Sequence, residues 1–202
     1  MKASLTKKFI LSIKPKEYLK QGPSHCGVYC VKAILSAYGL DDKSHPKFYH
    51  PNIVQQETSI TWGRNYYTNI FRKYRIDSKM KYANSNSDEK KLDLLKHLLS
   101  RNTPVMIRIG NGYITDTYDS FLGNLISHWI TLWGYDDDKS IFYIYDSGLP
   151  QEFWKNQQAG NTTRTYDEIL RDWKFGLWQP WVWTVTGRRN FVYIEINQYG
   201  RN

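Results

Sequence analysis

The rhythm of apolar and polar residues changes about halfway along the chain. From Cys26 the apolar positions Val28, Cys30, Val31, Ile34, Leu35 and Tyr38 recur at helical spacing, and Gly39 stops the run. The preceding "QGPSHC" reads as a turn, with Gly22-Pro23 as its breaker. Residues 5–13 alternate loosely and predict a first strand; residues 41–60 show no period and read as loop. "WGRNYYTNIFRKYRI" predicts a helix on Tyr66, Ile70 and Tyr74. "SNSDEKKLDLLKHLLSRN" predicts another: Ser85 or Ser87 can cap it, acidic residues fill its first turn, and Leu92, Leu95, Leu98 and Leu99 form its apolar face.

After Pro104 the period shortens. "VMIRI" predicts a strand, and "HWITLWGYDDDKSIFYIYDSG" a strand, an acidic turn and a second strand. "TYDEILRDW" is a short helix whose Thr165 and Glu168 fit the capping box. "WVWTVTGRRNFVYIEI" predicts a closing hairpin around Gly187. Helices dominate the first half and antiparallel strands the second, which is the pattern of an α+β domain with a cleft between its two parts.

Composition narrows the picture. A chain of 202 residues with 41% hydrophobic and 16% aromatic residues can bury a sizeable core, and it predicts one domain over 1–202. No stretch is long and apolar enough to span a membrane. The apolar run Phe9–Ile13 is too short for a secretory leader, so a cytoplasmic protein is expected. The net charge is +9, but the Lys and Arg residues are scattered and no nucleic-acid-binding motif accompanies them, so nucleic acid is not an expected partner.

The candidate chemistry begins with the two cysteines, Cys26 and Cys30. Their spacing suits neither a disulfide scaffold nor a zinc site. Cys30 lies one turn into the apolar face and reads as core. Cys26 opens the helix, where free N–H groups and the helix dipole favour a thiolate. Its backbone N–H and the Gln21 side-chain amide can both donate to an oxyanion, as acyl transfer requires. Gly27 leaves room beside the sulfur for a substrate. A hairpin folded about Asp137 sets His128 directly opposite Asp146, with Cβ atoms about 5 Å apart. The carboxylate would then hold the imidazole Nδ1–H and turn Nε2 toward the thiol, and a one-residue register change would part the pair. Trp129, beside His128, is a candidate for substrate contact, although a regular strand points its ring to the opposite face.

Other groups read more simply. His25 is a turn residue or a second base, and His45 and His50 form a Pro-bounded loop rather than a metal pair. His97 reads as a surface residue. Asp136, Asp137 and Asp138 are turn residues rather than a calcium site. Trp173, Trp178, Trp181 and Trp183 are packing residues or an aromatic wall beside the cleft.

Gln-x(4)-Cys-Gly at a helix start, a leucine-rich helix leading to "TPVMIRI", His at the head of a strand, "GYDDDK" at a turn, Asp at the end of the next strand, and a late Asp-Glu-x(4)-Trp helix make an ordered set over residues 18–196. This set resembles the papain-like cysteine peptidases of the bacteriocin-processing, double-glycine leader type. The resemblance implies a papain-like fold, with the nucleophile helix packed against an antiparallel sheet. It implies Cys26 as nucleophile, His128 as base and then acid, Asp146 as orienting group and Gln21 as oxyanion donor. The sequence departs from the family at His25, where a small polar residue is usual, at Ser147, where Pro is common, and in a long segment over 149–164. The expected function is a thiol-dependent peptidase or amidase acting on a peptide or other amide through a Cys26 thioester, without a cofactor. An acyl transferase using the same site, or a peptide-binding module on the same fold, are the alternatives.

Overall fold

A computed structural model describes residues 5–61, 63, 65–113, 117–119, 123, 126–174 and 191–197. Its elements in chain order are β1 (Lys8–Ile10), α1 (Cys26–Ala37), a 3-10 turn (Pro46–Tyr49), α2 (Ile53–Thr58), α3 (Tyr66–Lys73), β2 (Ser78–Tyr82), α4 (Asp88–Leu99), β3 (Val105–Gly110), β4 (Ser127–Asp136), β5 (Ile141–Tyr145), a second 3-10 turn (Gln151–Phe153), β6 (Thr162–Thr165), α5 (Tyr166–Lys174) and β7 (Val192–Ile196). The strands form one antiparallel sheet in the order β2-β7-β3-β4-β5-β6, and β1 pairs with β4 off that path. This is an α+β fold. None of the described helices is long and apolar enough to cross a membrane.

Local sequence explains most of these elements. α1 ends on Gly39, which takes a left-handed φ of 72° that suits glycine. Gly39 N–H bonds to the Ser36 carbonyl and Leu40 N–H to that of Leu35, closing the last turn. Ser87 caps α4 by accepting from Lys90 N–H, and Asp88 and Glu89 occupy its first turn. At α5 the capping box is reciprocal: Glu168 accepts from Thr165 N–H at 2.7 Å, and Thr165 Oγ1 accepts from Glu168 N–H at 3.2 Å.

Several expectations are corrected. The first strand is three residues long, not nine. The stretch 41–60 contains α2 and a 3-10 turn. β2 interrupts the helical half, pairing with β7 as an edge strand. β6 lies inside the long segment after Asp146. The expected hairpin around Gly187 and the residues Trp178, Trp181 and Trp183 lie outside the described residues; β7 is its described strand.

α1 is the element that matters for the site. Residues Gly27 to Ser36 are all buried, so the helix is enclosed on every side and packs across β4. Its one buried cation, Lys32, is held by Asp41 at 2.6 Å. β4 is buried along nearly its whole length, on both faces. The N-terminus of the central helix is thereby fixed against the central strand.

Candidate active site

Cys26 is the first residue of α1, and its side chain stays partly accessible. The N-cap, His25, has φ 75° and ψ 12°, a left-handed conformation rare outside glycine, and its side chain makes no capping bond. Its carbonyl accepts from Val28 and Tyr29, so the turn delivers Cys26 directly into the helix. Burial pushes the Cys26 thiol up, but hydrogen bonds from the His128 ring and from the main-chain N–H groups of Trp129 and Gly27 outweigh it and pull the thiol below its ordinary range.

His128 and Asp146 do meet, but not as the directly opposed pair expected from the hairpin. The turn is four residues long, with Asp136 opposite Ile141. On that register Asp146 would fall opposite Thr131, on the other face from His128. Between Leu132 and Gly134 the register shifts by one residue, and Trp133 is the bulged residue. Beyond it Thr131 pairs with Tyr145. One step further, Asp146 stands opposite Ile130, on the face of His128 and diagonal to it. The nitrogen assignment is also corrected. Nε2 of His128 bonds Asp146 Oδ1 at 2.7 Å, which leaves Nδ1 for the sulfur.

The Asp146 carboxylate is fully engaged. Oδ1 also accepts from Gly148 N–H at 2.9 Å and Leu149 N–H at 3.2 Å. Oδ2 accepts from Arg164 Nη2 at 2.7 Å. Arg164 bonds Asp172 at 3.2 Å, and Arg171 reaches the same Asp172 at 2.8 Å. His128, Asp146, Arg164 and Asp172 are 2%, 1%, 5% and 0% exposed, so charges of alternating sign neutralise one another out of water. Burial alone would raise the Asp146 carboxyl; His128, Arg164 and the Gly148 N–H outweigh it and hold it far below the usual carboxylate range. Burial alone would lower His128, but Asp146 and Cys26 raise it to about 10. The Cys26–His128 contact thus lowers the thiol and raises the imidazole together.

Gln21 is tethered to Ser147, the residue after Asp146. Its N–H donates to the Ser147 carbonyl at 2.9 Å, and its Oε1 accepts from the Ser147 hydroxyl at 2.5 Å. The Lys20 ammonium donates to the Gly148 carbonyl at 2.9 Å, fastening the same crossing. The donor end of the Gln21 amide is thus turned away from Ser147.

The two expected substrate contacts have other surroundings. Gly27 is buried, and a Cβ there would stand 2.1 Å from the Tyr67 ring and hydroxyl. Tyr67 fills the space beside Gly27, next to Cys26. Trp129 is 7% exposed, its ring packs edge-on to Tyr67, and its main chain is what serves the cysteines. Its N–H reaches Cys26, and its carbonyl accepts from Cys30 Sγ at 3.3 Å. Cys30 is buried, as expected, and burial pushes its thiol well up.

A second chain of contacts starts at His25, the neighbour of Cys26. His25 Nδ1 lies 3.0 Å from His50 Nε2, and His50 Nδ1 lies 2.6 Å from the Tyr66 hydroxyl. His50 is 3% exposed, and burial lowers it to about 4. The acids of the hairpin turn are paired with lysines: Asp136 with Lys8, Asp137 with Lys96 and Asp138 with Lys7.

Arg164, Ser147 and Tyr67 were not singled out by the sequence for these roles. Arg164 carries no local signal, because an arginine in "TTRT" looks like any surface residue. Ser147 registered only as a departure from the resemblance. Tyr67 could have been found from Gly27, since a glycine inside a buried helix often marks a close neighbour.

A family model described as the Peptidase_C39 like family matches residues 10–174, a span that contains Gln21, Cys26, His128, Asp146, Ser147 and Arg164. No curated protein matches the chain.

Proposed function

Since the chain belongs to the Peptidase_C39 like family, we propose that it is a thiol-dependent peptidase of papain-like architecture with Cys26, His128 and Asp146 as its catalytic triad. The observation that carries this reading is the contact of the Cys26 sulfur with a buried histidine that a buried carboxylate orients. A binding-only protein has no use for a thiol pulled below its ordinary range inside a neutralised chain of charges.

In the proposed reaction the Cys26 thiolate attacks the carbonyl carbon of a peptide bond. The C–S bond forms as the carbonyl π pair moves onto oxygen. That oxyanion receives hydrogen bonds from the Cys26 N–H and the Gln21 amide. The tetrahedral intermediate collapses, the C–N bond breaks, and His128 Nδ1 gives its proton to the leaving amine. His128, now neutral, takes a proton from water as that water attacks the thioester. The acid leaves and the thiolate–imidazolium pair returns. Asp146 keeps the ring in place through Nε2 and stabilises its charge. The resemblance to double-glycine leader peptidases makes a peptide that carries a double-glycine sequence the first substrate to offer.

The test is cleavage of such peptides, read by mass spectrometry, with wild type and Cys26→Ala side by side. The reading expects cleavage that the variant lacks, and an acyl-enzyme on Cys26 in acid-quenched samples. Cleavage retained in Cys26→Ala would refute it.

A further inference from the structure

We infer that Ser147 is a positioning residue for the oxyanion hole, holding the Gln21 amide with its donor end toward the reacting carbonyl; this rests on the proposed Cys26 chemistry. A carboxamide has two ends of similar size and opposite polarity, so packing alone does not decide which faces the substrate. Only the nitrogen end can stabilise an oxyanion. Ser147 is completely buried, and its hydroxyl finds its acceptor in Gln21 Oε1 at 2.5 Å. If the amide turned over, that hydroxyl hydrogen would lose its acceptor out of reach of water, which disfavours the reversed state.

The main chain adds to the hold. The Gln21 N–H bond to the Ser147 carbonyl at 2.9 Å fixes the separation of the two residues, so the side-chain bond forms without a search. Ser147 also follows Asp146 directly. The end of β5 thus supports the base through one residue and the oxyanion donor through the next.

Two reactions of the same sulfur separate this role from a structural one. Iodoacetamide alkylates a thiolate by displacement at carbon, with no oxyanion. Acylation by p-nitrophenyl acetate passes through a tetrahedral oxyanion. Both rates are to be measured on wild type, Ser147→Ala, Gln21→Ala and the double variant, with the modified residue identified by peptide mapping. Removing one oxyanion donor costs roughly a hundredfold or more, and loosening it less. Ser147→Ala is expected to slow acylation about tenfold and leave alkylation unchanged. The double variant should be no slower than Gln21→Ala. Ser147→Thr, which keeps the hydroxyl, should restore the wild-type ratio of the two rates. An unchanged ratio in Ser147→Ala, equal slowing of both reactions, or additive effects in the double variant would overturn the inference while sparing Cys26. Failure of wild-type Cys26 to be acylated at all would overturn both.

Discussion

Arg164 donates to the Asp146 oxygen that His128 does not use, Nη2 to Oδ2 at 2.7 Å, and both residues are almost wholly buried. The orienting carboxylate of the proposed triad is therefore held from behind by a cation that belongs to β6 and is tied in turn to Asp172 on α5. Removing that cation leaves two carboxylates without their shared partner. Arg164→Met is expected to cost about 3–5 kcal/mol of folding stability, the cost of breaking a buried pair from one side. Urea unfolding at neutral pH measures it, and a loss below about 1 kcal/mol, the range of exposed ion pairs, would mean that the pair is solvated.

Asp146→Asn keeps the shape and removes the charge. Asn can accept from Arg164 or from the loop N–H groups, but it no longer favours imidazolium. Activity is expected to fall by orders of magnitude, though less than in His128→Ala. The variant should also be less stable than wild type, because Arg164 loses its charge partner. Paired kinetic and unfolding measurements check both; an unchanged rate would remove Asp146 from the mechanism.

His128 is raised in the fold to about 10, against an ordinary value of about 6.5. Its protonation contributes stability that is fully present below the ordinary value and is lost as pH rises through the folded one. The stability gap between wild type and His128→Gln should narrow steadily across that window. Asp146 has the opposite sign. Its carboxyl is depressed, so its contribution is present above about 3.9, the ordinary value, and is lost as pH falls toward its folded value. Unfolding free energies measured from acid to alkaline pH test both slopes, and a constant gap in the alkaline window would show His128 to be neutral in the fold.

The Cys26 thiol is lowered chiefly by His128, against its burial. Iodoacetamide labelling of Cys26 should stay fast well below the ordinary thiol value of about 8.5. In His128→Ala its profile should move upward. Cys30, whose thiol is pushed well up, should label only on unfolding. Indistinguishable profiles in wild type and variant would break the link between the two residues.

Gly27→Ala places a methyl group where Tyr67 already lies, 2.1 Å from its ring. Overpacking of this kind costs about 1–3 kcal/mol. It should also shift α1 and lower the rate of Cys26 labelling. Tyr67→Leu should relieve the double variant. If Gly27→Ala alone is as stable as wild type, the close approach is not a constraint.

The residues of the candidate site were more legible in the sequence than the contacts that surround them. A cysteine between a Gly-Pro turn and a helical repeat marks a helix start, and α4 and α5 show their caps as short, local patterns. His128 and Asp146 could be matched because hairpin neighbours are close in sequence. Their register could not, since the turn alone does not set it: one unpaired residue at Trp133 shifts it, and the isolated Gly134 beside that residue is its one local sign. β2 alternates exposed Lys79 and Lys81 with half-buried Ser78, Met80 and Tyr82 over only five residues, and β6 has four, so both are too short to stand out. α2 leaves Ile53 and Val54 exposed, and so lacks the amphipathic stripe that would have announced it. Arg164 joins Asp146 only through the tertiary fold.

The bulge at Trp133 has a consequence for how this hairpin can change in evolution. Two side chains on neighbouring strands share a face only when the paired positions between them are matched in parity. Deleting a paired residue of β4 between His128 and Asp136 while the bulge persists would carry Asp146 to the far side of the sheet, whereas loss of Trp133 itself would remove the bulge and leave the pairing of Leu132 with Ile144 and of Thr131 with Tyr145 unchanged. A matching one-residue change in β5, or the gain or loss of a bulge, would restore the shared face. The bulge is therefore the hairpin's spare residue, the one place where β4 can change length without β5 following, while the turn between the strands is free to vary.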